Sequence, residues 1–125
     1  MKRKFGIGKC GLACCLCSEN NTCHGCAGGE CSGVKWCFNY KCADAKGISN
    51  CFLCEKKDCR EGLLKKVKPR AFNLFIRRYG LEELLRCLER NEKNGIIYHI
   101  SGFEGDYDNF DDEEKLIEFI KTGVR

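Results

Sequence analysis

The chain has 125 residues, a formal net charge of +4 and 13 cysteines, so it has the size of one domain and the cysteine content of a metal protein or a disulfide framework. It contains no run of about 18 apolar residues that could span a membrane, and the apolar stretch after the basic start is too short for a secretory signal. We therefore expect a cytoplasmic protein with reduced thiols and no membrane partner, in which clustered cysteines bind metal.

The first part of the chain, residues 10–60, is a Cys-rich region. All but one of the 13 cysteines lie between Cys10 and Cys59, among few other apolar side chains. Ordering a residue costs about 1–2 kcal/mol of backbone entropy, which so small an apolar set cannot offset. A zinc site of four thiolates can contribute about 10 kcal/mol or more. The composition therefore predicts that roughly two or three zinc ions hold this region together.

Cysteine spacing indicates where these ions bind. The region contains CxxC pairs at Cys14/Cys17, Cys23/Cys26 and Cys51/Cys54. A CxxC turn places both sulfurs on the same side, as two corners of a tetrahedral zinc site require. An odd number of cysteines also leaves a disulfide framework incomplete. The spacing does not reveal how the cysteines pair into sites.

Helices are predicted in chain order from hydrophobic spacing. A short helix runs from Phe38 to Lys46 and ends at Gly47. A second helical stretch follows Asp58, with Leu63, Leu64 and Val67 on one face.

Pro69 suits the first turn of a new helix, in which Arg70, Asn73 and Arg77 lie opposite the apolar face and which ends at Gly80. The apolar face comprises Phe72, Phe75, Ile76 and Tyr79.

Two more helices complete the second part, residues 61–125. The next helix has a leucine face and stops at Asn94-Gly95, and its Cys87 points away from that face as a thiol that binds no metal. The last helix begins at Asp111, which forms a capping box with Glu114, and ends at Gly123. The leucine face comprises Leu81, Leu84, Leu85 and Leu88, and the last helix buries Leu116, Ile117, Phe119 and Ile120.

Between these two helices, Ile96 to Ile100 has the β-branched and aromatic composition of a short strand. The whole pattern predicts a small α+β fold, a single compact unit over residues 1–125. Its loop-rich, metal-stabilised half is followed by a layer of about three to four helices with one short strand or hairpin.

Four runs of sequence carry a family resemblance: Cys10-Gly11-Leu12-Ala13-Cys14, Cys23-His24-Gly25-Cys26, Tyr40-Lys41-Cys42-Ala43, and Lys46-Gly47-Ile48 followed by Cys51-x2-Cys54-x4-Cys59. In these runs the chain resembles a Cys-rich prokaryotic family catalogued as domain of unknown function 3795. The resemblance implies a metal-binding protein and leaves Cys15, Cys31 and Cys87 outside the ligand set. The positions that match the family pattern, and are the predicted metal ligands, are Cys10, Cys14, Cys17, Cys23, Cys26, Cys37, Cys42, Cys51, Cys54 and Cys59.

Three functions remain open at this point. The first is a zinc-stabilised, non-catalytic module that binds another protein, since no catalytic group accompanies the cysteines. The second is a redox or electron-transfer protein, because sets of four thiolates also bind iron–sulfur clusters and a CxxC pair can be redox-active. The third is a nucleic-acid-binding module, in which Trp36, Phe38 and Tyr40 occupy alternate positions between Lys35 and Lys41.

The positive charge supports the third function only weakly. A zinc ion with four thiolates carries a net charge of about −2, so two such sites would offset the +4 of the chain. Histidines add little: His24 lies inside a CxxC and could bind metal, and His99 lacks a partner for general-base catalysis.

Overall fold

The computed structural model describes Ile7, Cys10 and residues 38–48, 50–54, 59–60, 62–98 and 105–124. These residues form four α-helices: α1 (Phe38–Lys46), α2 (Val67–Tyr79), α3 (Leu81–Lys93) and α4 (Glu113–Thr122). Short 3-10 turns occur at Cys51–Leu53, Gly62–Lys65 and Asp106–Asp108. No helix in the described part of the chain is both long and apolar enough to cross a bilayer.

The hydrophobic core lies between α2, α3 and α4, which contact one another in all three pairs. Phe72, Leu84, Leu88 and Ile120 are fully buried, each with 0% of its surface exposed. Burial of one such side chain is worth about 1.5–3 kcal/mol. The apolar spacing therefore predicted the buried faces of these helices correctly, except that Leu81 and Tyr79 are exposed at their ends.

Tyr107 joins the helices from the segment that precedes α4. Its ring packs edge-on against Phe72 and Phe119, with centroids 5.9 and 5.3 Å apart. Its hydroxyl accepts a hydrogen bond from the Asn91 side chain at 3.2 Å. Burial raises the pKa of Tyr107 to about 12, so the phenol stays neutral in this core.

Glycines end the helices where the sequence predicted. Gly80 has a φ of 97° and separates α2 from α3, and its N–H donates to the Ile76 carbonyl at 2.8 Å. Gly123 takes the left-handed conformation, with a φ of 69°, and ends α4. The start of α4 differs from the prediction by one residue. Asp112, not Asp111, caps it, since its side chain accepts a hydrogen bond from the Lys115 N–H at 3.1 Å.

The predicted α+β class is wrong for the described residues, which are helical and contain no strand. The expected strand Ile96–Ile100 is an irregular segment over residues 96–98, and its last two residues lie outside the described set. Its polar groups find other partners: the Ile96 N–H donates to the Asn91 carbonyl at 3.0 Å, and Ile97 exchanges two hydrogen bonds with Asp106. The apolar residues that suggested a strand instead close the core, since Ile96 and Tyr98 are buried.

The helical stretch predicted before Pro69 is also interrupted. Lys66 is extended, with φ −91° and ψ 149°, and divides the Gly62–Lys65 turn from α2. Pro69 explains the break, because a continuing helix would need its N–H, which proline lacks, to pair with the Lys65 carbonyl. The Arg70 guanidinium donates instead to the carbonyls of Leu64 and Lys65, at 3.0 and 2.7 Å.

Candidate metal centre

Four of the predicted ligands line one small cavity beside α1: Cys42, Cys51, Cys54 and Cys59. The cavity measures about 20 Å³, enough for one water-sized species. The rest of its wall comes from Asn39, Ala43, Lys46, Ile48 and Leu64. The structure thus gathers cysteines that are 17 positions apart, from 42 to 59, around a space suited to a single ion.

Helix α1 brings its share of the wall together through helical spacing. Asn39, Cys42, Ala43 and Lys46 follow the i, i+3, i+4, i+7 pattern, so they lie along one face. This face carries small and polar groups, whereas an ordinary core-facing helix presents large apolar ones. At the end of α1, Gly47 has a φ of 70° and turns the chain back past the cavity.

The CxxC pair Cys51/Cys54 is closed by a 3-10 turn. The Cys54 N–H donates to the Cys51 carbonyl at 3.0 Å, and the Leu53 N–H donates to the Asn50 carbonyl at 3.1 Å. Both cysteines lie on the wall of one cavity.

Lys46 places a positive charge next to these sulfurs. Its ammonium nitrogen Nζ lies 3.2 Å from the Cys54 Sγ. The hydrogen bond to Cys54, together with the charges of Cys42, Cys54 and Cys59, raises the pKa of Lys46. The ammonium is therefore electrostatically coupled to three of the four thiols.

Cys51 is the buried member of the set. Burial raises the pKa of its thiol to about 11, against the smaller effect of a hydrogen bond from Asn39 Nδ2, 4.0 Å from the Cys51 Sγ. Negative charge on the neighbouring thiolates raises this pKa further. Without a cation the Cys51 thiol stays protonated at neutral pH, and a bound metal ion would supply the charge that displaces the proton.

The donor chemistry of this cavity fits zinc, which is bound in structural sites by four cysteines. Its geometry is not that of a finished site: within the described ranges, no group of three or more His, Cys, Asp or Glu side chains is arranged to hold a metal ion. Coordination of one ion by the four sulfurs would therefore require them to move closer together around the cavity.

Helix α2 supports this region from the other side, through residues that sequence analysis assigned only to a polar face. Arg77 donates from Nη2 to the Cys51 carbonyl at 3.0 Å and from Nε to the Phe52 carbonyl at 3.1 Å. Asn73, buried to 3% exposure, donates from Nδ2 to the Cys10 carbonyl at 2.7 Å. In the sequence, the pattern that could have indicated this role is the i, i+4 spacing of Asn73 and Arg77 opposite a large apolar face.

The other cysteines stand as follows. Cys10 is buried and is held by Asn73, and it is not among the residues that line the cavity. Cys87, expected on a helix flank, is buried to 1% exposure in the core, and burial raises the pKa of its thiol. Several predictions lie outside the described residues: Cys14, Cys15, Cys17, Cys23, His24, Cys26, Cys31, Trp36, Cys37 and His99. The side chains of Phe38 and Tyr40 are also outside the described set.

No family model, curated protein or solved structure matches the chain. The resemblance to a Cys-rich prokaryotic family therefore stays a prediction.

Proposed function

We propose that this chain is a cytoplasmic zinc-binding protein in which the metal is mainly structural and the folded chain binds another protein. The observation that carries the proposal is the convergence of Cys42, Cys51, Cys54 and Cys59 on one cavity the size of a single ion. Together with the cysteines outside the described residues, the predicted ligands would hold roughly two or three ions.

A structural role follows from how α1 is supported. The described side chains that α1 buries are Asn39 and Ala43, which supply little apolar area. Apart from Ile7, the large apolar side chains of the core belong to α2, α3, α4 and the segments between them. Because a structural zinc site can contribute about 10 kcal/mol or more, metal binding would supply the stability that packing does not give α1.

The ligand set itself favours a structural role over catalysis. A catalytic zinc keeps one position open for water or substrate, whereas four protein thiolates fill a tetrahedral ion completely. The cavity wall supplies four thiols. Saturated coordination leaves no position at which a substrate could be polarised.

The metal content tests this proposal directly. The protein would be purified without added metal and analysed for zinc and iron per chain. We expect colourless protein with more than one equivalent of zinc. Brown protein that contains iron and absorbs at about 400 nm would indicate an iron–sulfur cluster in place of zinc. Electron transfer would then take the place of the structural role. Protein that binds neither metal would overturn the proposal.

Partner binding is supported by the side chain between the paired cysteines. Leu53 is 56% exposed within the turn that joins Cys51 to Cys54, so a metal-held turn would present an apolar group to solvent. We expect metal-loaded protein to retain a defined protein partner that Leu53→Asp loses at equal zinc content. Val124→Asp is the matched control, since Val124 is also exposed and lies at the far end of the chain.

Two outcomes would count against this role. Retention of the partner by Leu53→Asp would exclude the turn as the contact. Recovery of nucleic acid in place of a protein, with binding that weakens steeply as salt rises, would favour the nucleic-acid alternative.

A further inference from the structure

We propose that Cys42, Cys51, Cys54 and Cys59 form one complete mononuclear centre, separate from the sites of the remaining cysteines, and that the Lys46 ammonium offsets its negative charge. This rests on the proposed zinc function and deepens it by assigning four ligands to a single ion, which the spacing alone does not do.

The four cysteines share one location. They lie on the wall of the same cavity, which measures about 20 Å³ and has room for about one water-sized species. Four thiols around one such space are placed to serve a common ion.

The set of ligands is complete at four. Tetrahedral zinc takes four thiolates, and the cavity supplies four from residues 42 to 59. Cys10 is the other predicted ligand that the structure describes, and its carbonyl is held by Asn73 on a different part of α2. The cavity therefore needs no donor from the earlier CxxC pairs.

Neighbouring groups offset part of the negative charge of the proposed centre. Zinc with four thiolates has a net charge of about −2, which is costly to bury unless it is compensated. Lys46 Nζ lies 3.2 Å from the Cys54 Sγ, and Asn39 directs an amide N–H at the Cys51 Sγ. The ammonium would lower the net charge to about −1. Groups that hydrogen-bond to ligand atoms in this way tune metal affinity by about 10–100-fold.

Arg77 anchors the proposed centre to the helical core. Its guanidinium on α2 donates to the carbonyls of Cys51 and Phe52, so the backbone of the CxxC turn is held at two points.

Cadmium NMR of the ¹¹³Cd-loaded full chain tests the assignment, because each four-thiolate site gives a separate resonance. We expect Cys42→Ser, Cys51→Ser, Cys54→Ser and Cys59→Ser each to remove or shift the same resonance and to lower the metal content by at most one equivalent. The control Cys10→Ser should leave this resonance unchanged.

The outcomes separate this inference from the proposed function. Wild-type protein that takes up no metal overturns both. Wild-type protein that binds metal, with the four variants acting on different resonances or with Cys10→Ser removing the shared one, overturns only the assignment.

Two variants that keep all four cysteines test the role of Lys46. Lys46→Gln should weaken metal affinity for this centre roughly 10-fold in competition with a chromophoric chelator. Lys41→Gln is the matched control, because Lys41 lies exposed on the same helix, carries the same charge and is not among the cavity-lining residues. Equal affinity of the two variants would overturn the charge role of Lys46.

Discussion

The Arg77 side chain of α2 holds the peptide carbonyl of Cys51, with Nη2 3.0 Å from that oxygen. A residue of the helical core thereby fixes the backbone of a proposed metal ligand. The two residues are 26 positions apart in the sequence. Metal affinity should consequently depend on a residue that cannot itself bind metal.

Arg77→Ala should weaken metal binding at the Cys51/Cys54 turn and lower the free energy of unfolding by about 1–3 kcal/mol, because two carbonyls lose a charged donor. Chelator competition and thermal unfolding of the metal-loaded protein measure the two effects. Arg78→Ala is the control: its guanidinium pairs with exposed Glu114, so its loss should cost at most about 1 kcal/mol and leave affinity unchanged. Equal metal affinity of the two variants would contradict the prediction.

Removal of metal should melt α1 while α2, α3 and α4 remain folded. Among the described side chains, those that α1 buries are small or polar, whereas the other three helices share a large apolar core. Hydrogen exchange followed by mass spectrometry should show rapid exchange of residues 38–48 after chelation and continued protection of residues 70–90. Equal protection of α1 with and without metal would show that zinc does not stabilise it.

Glu113 should make stability sensitive to acid. A hydrogen bond from Arg70 Nε, at 2.6 Å, lowers the pKa of this carboxyl below its ordinary value of 4.5. Because the folded pKa is the lower one, the ion pair stabilises the fold above about pH 5, and this contribution is lost as pH falls through the lowered pKa.

Glu113→Gln should therefore cost on the order of 1 kcal/mol at neutral pH, and the difference from wild type should shrink below about pH 4. Urea unfolding at several pH values measures this difference. Glu114→Gln serves as the comparison, since its more exposed pair with Arg78 should show a smaller effect. A difference for Glu113→Gln that does not vary with pH would refute the linkage.

Asn91→Leu should destabilise the core by about 2–4 kcal/mol. Asn91 is fully buried, and its Nδ2 donates to the Tyr107 hydroxyl at 3.2 Å and to the Ile120 carbonyl at 3.1 Å. Leucine has a similar volume but removes the donor from both oxygens, of which the Ile120 carbonyl keeps a hydrogen bond from Arg90 Nη2 at 3.0 Å. Denaturant unfolding measures the loss, and exposed Asn109→Ala should change stability by less than about 0.5 kcal/mol. Similar stabilities of the two variants would contradict this role for Asn91.

Hydrophobic spacing predicted the helices well because their stability comes from one continuous apolar core. Gly80 and Gly123 end helices as expected, since their positive φ angles suit glycine. Spacing failed at Ile96 to Tyr98, where apolar residues pack into the core from an irregular segment. A strand and a buried loop share the same composition, and only long-range hydrogen bonds distinguish them.

The sequence predicted that cysteines would form the candidate site, but it did not predict which cysteines would lie together. The CxxC motif identified Cys51 and Cys54 as neighbours, but their grouping with Cys42 and Cys59 depends on how α1 packs. Lys46 belongs to the Lys46-Gly47-Ile48 run of the family resemblance, which did not indicate a contact with sulfur, and Arg77 belongs to no motif. Their roles arise from contacts with a sulfur and with backbone carbonyls, which no local pattern encodes.

The two faces of α2 have a practical consequence for dissecting the chain. One face builds the apolar core through Phe72 and Phe75, and the other holds the carbonyls of Cys10 and Cys51 through Asn73 and Arg77. A fragment that begins at residue 61 would remove the Cys10 and Cys51 carbonyls that accept from the Asn73 amide and the Arg77 guanidinium. Likewise, residues 10–60 excised alone would lose the α2 donors that hold those two carbonyls. The Cys-rich region therefore cannot be transferred to another protein by itself, and a transferred segment would have to include α2.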